Sequence, residues 1–212
     1  MKRFFDFILA LLLLILLSPL FLIIYLAVWM ETGLNPIFVQ QRGITFNGTL
    51  FRFYKFRTMH RVPDDAERYQ NSITLKYGLD GYVTRFGKYL RKSGLDELPQ
   101  LFNILKGDMS FVGPRPLQIS DIELLQRNYP DHYTKRTTIK SRPGITGYWQ
   151  VFGDRLAGVK NLIEMELYYE HSRSVLMDLF ILVETVPVIL FARHFDAIIS
   201  FRKEDVADYN RL

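Results

Sequence analysis

The sequence predicts a mainly helical α+β protein in which a membrane segment precedes one compact unit. Three observations predict it. Residues 7–30 form an uncharged apolar run broken by Ser18 and Pro19, short alternating runs follow, and apolar residues then recur at helical spacing. Because 212 residues suffice for one ordinary domain and a membrane segment, we expect a boundary between residues 1–35 and residues 36–212.

The composition excludes several classes of protein. A hydrophobic content of 49% indicates a chain that buries a core and is not disordered. The net charge of +5 favours anionic partners, but charge alone does not choose between lipid headgroups, nucleotide phosphates and nucleic acid. The chain has no cysteine, which excludes disulfides, thiolate metal sites and cysteine nucleophiles.

The apolar run is long enough to cross a bilayer but contains a helix-breaking pair. As a straight helix it would be about 36 Å long, against a hydrocarbon core of about 30 Å. Pro19 lacks the amide that would bond the carbonyl of Ile15, and the Ser18 hydroxyl can bond the freed carbonyl, so we expect a bend. The residues leave two alternatives open, a kinked spanning helix and a re-entrant hairpin.

Positive charges flank the run on both sides, with Lys2 and Arg3 before it and Arg42 the first after it. Under the positive-inside rule this indicates that both flanks are cytoplasmic. A signal peptide is disfavoured because the apolar run is too long and no small-residue cleavage site follows it.

The remaining elements are predicted from periodicity. Alternation predicts strands over residues 36–42 and 50–57 around a turn at residues 45–48. A polar, helix-compatible excursion covers residues 64–76. Leu95, Leu98 and Leu101 begin a helical repeat, so Asp96 and Glu97 are predicted to begin an amphipathic helix. A further helix is predicted over residues 117–127, and interfacial or core helices interrupted by Pro187 over residues 175–195.

The adjacent carboxylates Asp96 and Glu97 are the candidate catalytic and metal-binding residues. An ionised, positioned Asp can attack phosphorus, and a neighbouring Glu can bind Mg²⁺ or handle a proton. Taken alone, an Asp-Glu pair is more typical of an ordinary helix start.

Cations and tight turns around this pair favour phosphate chemistry. Glycines and prolines surround Arg115 and Arg142, and such loops let a guanidinium bind phosphate at two oxygens. Any one of these cations could be an ordinary surface charge, but the set favours a phosphate site. The candidate phosphate-binding residues are Lys55, Arg57, Arg91, Arg115 and Arg142.

Common nucleotide and metal signatures are absent from the sequence. It has neither the P-loop nor the dinucleotide-binding glycine pattern, and no Asp-x-Asp metal clamp. The four histidines have no metal-ligand spacing. Tyr148 and Trp149 could stack a base, lie at a membrane interface or pack in the core.

Several motifs in a fixed order resemble the monotopic phosphoglycosyl transferases of the bacterial sugar transferase family. They are KRFFD at residues 2–6 with the Ser-Pro break, YKFRTM at 54–59, LDELPQ at 95–100, KGDMSFVGPRP at 106–116, RPGITG at 142–147 and ELYY at 166–169. The resemblance covers nearly the whole chain and implies that the broken apolar helix is a re-entrant hairpin over residues 1–35.

The resemblance also implies a reaction, a cofactor and partners. The expected reaction transfers a sugar 1-phosphate from a UDP-sugar to polyprenol phosphate and releases UMP. Asp96 matches the family's nucleophile, Glu97 its partner, and Arg91 and Arg115 two arginines near the site. Mg²⁺ is the implied cofactor. Phospholipids and the two substrates are the implied partners, without nucleic acid, and a homo-oligomer is left open.

The implied location is the bacterial inner membrane, with the catalytic domain on the cytoplasmic side. The resemblance assigns no role to Glu166, because the family often has Asp at that position. Two rival functions are a non-catalytic lipid-binding adaptor and a Mg²⁺-dependent phosphohydrolase that passes the phosphosugar to water.

Overall fold

The computed structural model describes residues 2–43, 48–61, 73–74 and 80–190. Most of the predicted turn at residues 45–48, nearly all of the polar excursion at 64–76, and the chain beyond residue 190 lie outside the described residues. Within them the protein is mainly helical, with two small sheets, as the sequence predicts.

The apolar run forms two helices, α1 (Lys2–Leu16) and α2 (Ser18–Thr32), bent by 66° at Leu17. The Ser18 hydroxyl donates to the Ile15 carbonyl at 2.8 Å. This confirms the predicted partner for the carbonyl to which Pro19 cannot donate. No single described helix is long and apolar enough to cross a bilayer. Together, the two bent helices are long and apolar enough to form either a broken membrane span or a re-entrant loop.

The polar first turns of α1 contact the rest of the protein. Lys2 donates to the Val112 carbonyl at 3.1 Å and forms an ion pair with Asp178. Arg3 donates to two carbonyls at the end of α4 (Gln100–Lys106). Asp6 is buried and accepts a hydrogen bond from the Ser110 hydroxyl at 2.8 Å. The charged start of the apolar segment is therefore fixed to the domain that follows it.

Two short sheets form the centre of that domain. Strands β1 (Ile37–Gly43) and β2 (Phe51–Phe56) pair antiparallel from Ile37 opposite Phe56 to Arg42 opposite Phe51, close to the predicted bounds. The two-residue strand β4 (Leu117–Gln118) pairs with the other edge of β1. Strands β3 (Ser110–Val112) and β5 (Gly144–Thr146) form a separate parallel pair that the alternation did not predict.

Seven more helices surround the sheets. They are α3 (Arg85–Ser93), α4, α5 (Ile119–Asn128), α6 (Pro130–Thr137), α7 (Tyr148–Phe152), α8 (Gly158–Ser172) and α9 (Val175–Leu190). The predicted helix over residues 117–127 corresponds to α5. The prediction that Pro187 interrupts the last helix is wrong, because α9 continues through it to Leu190. Three-residue 3₁₀ turns lie at Asp80–Tyr82 and Leu95–Glu97.

Strand β2 is buried on both faces by the broken helix and its neighbours. Phe53 packs in a cluster that joins α1 to α4, and Phe56 packs in a cluster that joins α2 to α3. Because successive side chains of a strand point to opposite faces, Lys55 shares a face with Phe53. The packing thus holds the end of β2 between the two halves of the apolar segment.

Helix α9 has a largely unburied apolar surface. Val175 and Leu176 are more than three-quarters exposed, and Phe180 and Val183 are about half exposed. Much of α1 and α2 is exposed in the same way. Exposed apolar surface of this extent is typical of protein or membrane contact sites.

Candidate active site

Asp96 and Glu97 lie in the 3₁₀ turn Leu95–Glu97, between α3 and α4. The prediction that they begin an α-helix is wrong, since α4 begins only at Gln100. Pro99 has no amide to bond the Leu95 carbonyl, so this stretch is closed by i to i+3 hydrogen bonds. The turn places both carboxylates inside the protein, where Asp96 is 3% and Glu97 8% exposed.

Lys55 connects β2 to the carboxylate pair. Its Nζ lies 2.8 Å from Glu97 Oε1 and 3.8 Å from Asp96 Oδ2. The ammonium group also lies 5.5 Å from the centre of the Phe53 ring. Lys55 therefore supplies positive charge to both buried carboxylates, as needed where the site is shielded from water.

A small, open pocket lies beside Glu97 and Lys55. Its lining combines three cationic side chains, one carboxylate and two carboxamides with small and apolar residues. The lining residues are Arg42, Phe53, Lys55, Glu97, Gln100, Arg115, Pro116, Gly144, Ile145 and Gln150. The two predicted residues Lys55 and Arg115 thus line one pocket together with Glu97, although 60 positions separate them in the chain (115 minus 55).

Arg42 is a pocket residue that the sequence reasoning missed. It was counted only as a flanking charge of the apolar run, but it is 7% exposed. Its Nη1 donates to the Pro116 carbonyl at 2.9 Å, and its guanidinium lies 4.8 Å from the centre of the Phe53 ring. Arg42 lies on β1, which pairs with the strand that carries Lys55. This predicted pairing could have identified Arg42 as a candidate site residue.

The loop that carries Arg115 is held at its backbone by two buried charges. The Arg115 amide donates to Glu166 Oε1 at 2.7 Å, and its carbonyl accepts from Arg136 Nη2 at 2.6 Å. Arg136 and Glu166 form an ion pair and are 0% and 1% exposed. We call these two residues the loop clamp. Glu166, to which the sequence assigned no role, therefore contacts the Pro-Arg-Pro loop directly.

Arg136 remains a cation despite its complete burial. The pKa of Arg136 is lowered to about 9, chiefly because burial disfavours the charged form; the positive charge of Arg115 also lowers it, and the negative charge of Asp121 partly offsets both. Glu166 in direct contact supplies the compensating negative charge. At neutral pH the clamp is an ion pair that holds both backbone polar groups of Arg115, its N–H and its C=O.

Three glycines allow the two phosphate-candidate loops to touch. A Cβ on Gly113 would lie 2.1 Å from the Arg142 carbonyl oxygen, and one on Gly144 would lie 2.2 Å from the Gly113 amide. A Cβ on Gly147 would lie 2.0 Å from the Gly113 carbonyl oxygen. Larger residues would separate the loops, so glycine is required for close backbone approach at all three positions.

The structure places the other predicted cations outside the pocket lining. Arg91 donates from Nε to the Thr58 hydroxyl at 2.7 Å. Arg142 donates from Nε to the Gly107 carbonyl at 2.8 Å. Arg57 donates to the Asn35 carbonyl at 2.8 Å, and partial burial lowers its pKa. Of the predicted set, Lys55 and Arg115 line the pocket with Glu97, and the remaining three are not among its lining residues.

The aromatic pair divides between core and surface. Trp149 is 2% exposed and packs in the core cluster that joins α5, α7 and α8. Tyr148 contacts Phe152 and Tyr168, with ring centres 5.0 and 4.9 Å away. Core packing is the interpretation that fits Trp149.

The donor set suits a hard cation with few protein ligands. Among the described residues no group of three or more His, Asp or Glu side chains is arranged to hold a metal. Mg²⁺ is usually held by one or two carboxylates together with phosphate oxygens and water. The adjacent carboxylates of Asp96 and Glu97 fit that pattern, and they lie beside a pocket whose cations suit a phosphate.

Comparisons with known proteins place this site in context. Residues 1–192 match a family model described as bacterial sugar transferase. The chain is 38% identical over 202 residues to the exopolysaccharide production protein ExoY of Sinorhizobium fredii, covering 91% of this chain and 86% of that protein.

Two relatives carry names that state an activity. A UDP-glucose:undecaprenyl-phosphate glucose-1-phosphate transferase of Caulobacter vibrioides is 36% identical over 194 residues, covering 89% of this chain and 69% of the relative. An undecaprenyl-phosphate galactose phosphotransferase of Salmonella typhimurium is 33% identical over 200 residues, covering 90% of this chain. The chain spans only 40% of that second relative.

Proposed function

The chain belongs to the bacterial sugar transferase family, and from that premise we propose that it transfers a sugar 1-phosphate from a UDP-sugar to undecaprenyl phosphate, releasing UMP. The observation that carries the proposal is the buried Asp96-Glu97 pair bonded to Lys55, beside a pocket lined by Arg42 and Arg115. The names of relatives supply both substrates, a UDP-sugar and undecaprenyl phosphate.

The reaction proceeds in two displacements at one phosphorus atom. An Asp96 carboxylate oxygen attacks the sugar-linked phosphate, and the bond from that phosphorus to the UMP oxygen breaks. The phosphosugar is then held as an acyl phosphate on Asp96. A phosphate oxygen of the lipid attacks the same phosphorus, and the Asp96 oxygen leaves to give polyprenyl-diphosphate-sugar.

Cations around the pocket bind and orient the phosphates. Lys55 and Arg115 reach the pocket directly, and Arg42 joins them. Arg57, Arg91 and Arg142 do not line the pocket, and we assign them to contacts with the leaving nucleotide or the lipid phosphate. Fixed cations of this kind stabilise the charge that develops during phosphoryl transfer.

Asp96 and Glu97 would hold Mg²⁺ at this site. When bound, that ion neutralises phosphate oxygens and makes the phosphorus easier to attack. Glu97 also keeps Lys55 in place through their 2.8 Å contact, so it orients a cation that lies beside the nucleophile.

In this proposal the broken helix anchors the protein so that the chemistry occurs at a membrane surface. Residues 1–35 form a re-entrant hairpin in the bacterial inner membrane, and residues 36–212 form the catalytic domain on its cytoplasmic side. Contacts support this arrangement, because the first turns of α1 bond to the same domain into which α2 leads. A water-soluble donor and a lipid-bound acceptor meet at that depth.

Turnover itself tests the proposed function. Purified protein in lipid nanodiscs is mixed with Mg²⁺, undecaprenyl phosphate and UDP-glucose, UDP-galactose or UDP-N-acetylhexosamines, and UMP release is followed. We expect release that needs the lipid, stops with EDTA and returns with Mg²⁺. Sustained release without lipid would identify a phosphohydrolase instead, and no release with any donor would contradict an enzymatic role.

Replacing Lys55 by methionine should lower kcat/KM for the UDP-sugar by about 10²-fold, because a preorganised positive charge at the reacting phosphate is lost. Lys106→Met is the matched control. Lys106 lies next to β2 and donates to the Tyr54 hydroxyl at 2.6 Å, at an exposed position. Equal losses of kcat/KM in the two variants would show that Lys55 has no specific role at the reacting phosphate.

Accessibility from the two sides of the membrane tests the hairpin. Because the chain has no cysteine, Phe4→Cys and Gln41→Cys each introduce one label site, before and after the apolar segment. An impermeant maleimide applied to inside-out vesicles should label both. Labelling from opposite sides would show that the segment spans the bilayer.

A further inference from the structure

Two of the residues that line the pocket, Gln100 and Gln150, each carry a buried polar atom that no other described residue satisfies. Gln100 Nε2 and Gln150 Oε1 are both buried and have no hydrogen-bond partner in the described part of the chain. Gln100 is 1% exposed overall. A buried polar group without a partner is costly, so such groups in native proteins call for an explanation.

The fold places both carboxamides at the pocket. Gln100 is the first residue of α4, one turn after Asp96, so it lies next to the carboxylate pair. Gln150 is on α7, and its Oε1 occupies space that Gly147 leaves free, since a Cβ there would lie 2.5 Å away. One carboxamide therefore offers a donor and the other an acceptor in the same small space.

From these positions we propose that Gln100 and Gln150 bind hydroxyl groups of the transferred sugar and select the donor. The inference rests on the proposed function. A hydroxyl donates one hydrogen bond and accepts others, so it satisfies a donor such as Gln100 Nε2 and an acceptor such as Gln150 Oε1. The phosphates have the cations of the same pocket as their partners.

Because Gln100 and Gln150 line the pocket beside Asp96, the sugar of the donor is a better ligand for them than the uracil base. The sugar is bonded to the phosphate that Asp96 attacks, whereas the base is separated from that phosphate by the second phosphate and the ribose. Neutral groups beside the nucleophile therefore face the sugar. Selection by hydrogen bonds to hydroxyls is effective because a donor lacking the hydroxyl leaves buried polar groups unpaired.

Replacement of each carboxamide by methionine keeps the length of the side chain and removes its hydrogen bonds. The variants Gln100→Met and Gln150→Met are assayed with the best UDP-hexose of the turnover assay and with its four monodeoxy analogues. Gln126→Met, at an exposed position on α5, is the control. We expect a loss of about tenfold in kcat/KM on the parent donor, from the loss of one hydrogen bond.

The inference is tested by comparing the loss in kcat/KM on the parent donor with the loss on each deoxy analogue. The loss should disappear on the analogue that lacks the contacted hydroxyl, and inhibition by UMP should stay unchanged. An equal loss on every donor, or no loss on any, would overturn the inference. The midpoint of thermal unfolding should stay the same or rise for Gln100→Met, because an unpaired buried donor is removed, and a marked fall would mean a structural role.

Failure of this inference and failure of the proposed function are distinguishable. Lipid-dependent UMP release with uniform losses in the variants would overturn the role of the carboxamides only. Absence of release by the unmodified protein with every UDP-sugar would overturn both.

Discussion

Asp96→Asn is expected to abolish the covalent phosphosugar adduct and lower turnover by about 10³-fold or more. The asparagine amide has nearly the same shape but is neutral and cannot attack phosphorus. Because Asp96 is 3% exposed and 3.8 Å from Lys55, the substitution also leaves that ammonium without one of its two carboxylates.

Intact-protein mass spectrometry measures this directly. The protein is mixed with Mg²⁺ and each UDP-sugar in the absence of lipid acceptor, and the mass of a hexose phosphate is expected on the unmodified protein only. Asp108→Asn is the control, since Asp108 follows α4 and contacts Asn103 Nδ2 at 3.4 Å. An adduct on Asp96→Asn, or lipid-dependent turnover that never passes through an adduct, would take the nucleophile role from Asp96.

Breaking the loop clamp should produce the largest loss of stability. Glu166→Gln leaves the charge of Arg136 buried without its counter-ion, which should lower the free energy of unfolding by about 3 to 5 kcal/mol. The same change weakens the acceptor of the Arg115 amide, so turnover should fall as well. Denaturant unfolding in detergent measures the first effect, and UMP release measures the second.

A double variant separates the two effects of the clamp. Arg136→Met with Glu166→Leu removes both charges and should recover much of the lost stability, because a buried pair can often be replaced by apolar residues. Turnover should stay low, since the amide and carbonyl of Arg115 then have no clamp. Recovery of turnover together with stability would show that the clamp does not position the loop.

An exposed pair provides the matched control for the clamp. Lys160 and Glu164 on α8 lie 4.0 Å apart and are 74% and 63% exposed. Glu164→Gln should leave unfolding and turnover unchanged, because exposed pairs contribute little to stability. If Glu164→Gln lowered stability and turnover as much as Glu166→Gln, both effects would come from any substitution on α8 and not from the clamp.

The sequence predicted the parts of the site that lie within local motifs. Asp96, Glu97, Lys55 and Arg115 each stand in a recognisable run, and the structure brings Glu97, Lys55 and Arg115 to one pocket. The bend at Ser18 and Pro19 followed from proline chemistry, and strands β1 and β2 followed from alternation. These features depend on neighbouring residues, which a single sequence displays.

The parts that were missed depend on contacts between distant residues. Arg136 lies on a short polar helix and Glu166 lies 30 positions later (166 minus 136), so nothing local marks them as a buried pair. Strands β3 and β5 have three residues each, too few to show alternation. The helix predicted from Asp96 failed because Pro99 changes the hydrogen-bonding pattern while leaving the apolar spacing intact.

The attachment of α1 has a consequence for protein engineering. Lys2 and Asp6 bond to β3, the strand that leads directly into Gly113 and the loop of Arg115. Deleting the apolar segment to obtain a water-soluble fragment would therefore remove the partners of that strand as well as the proposed membrane anchor. A soluble form is better sought by changing the exposed apolar side chains of α1 and α2 than by deleting these helices.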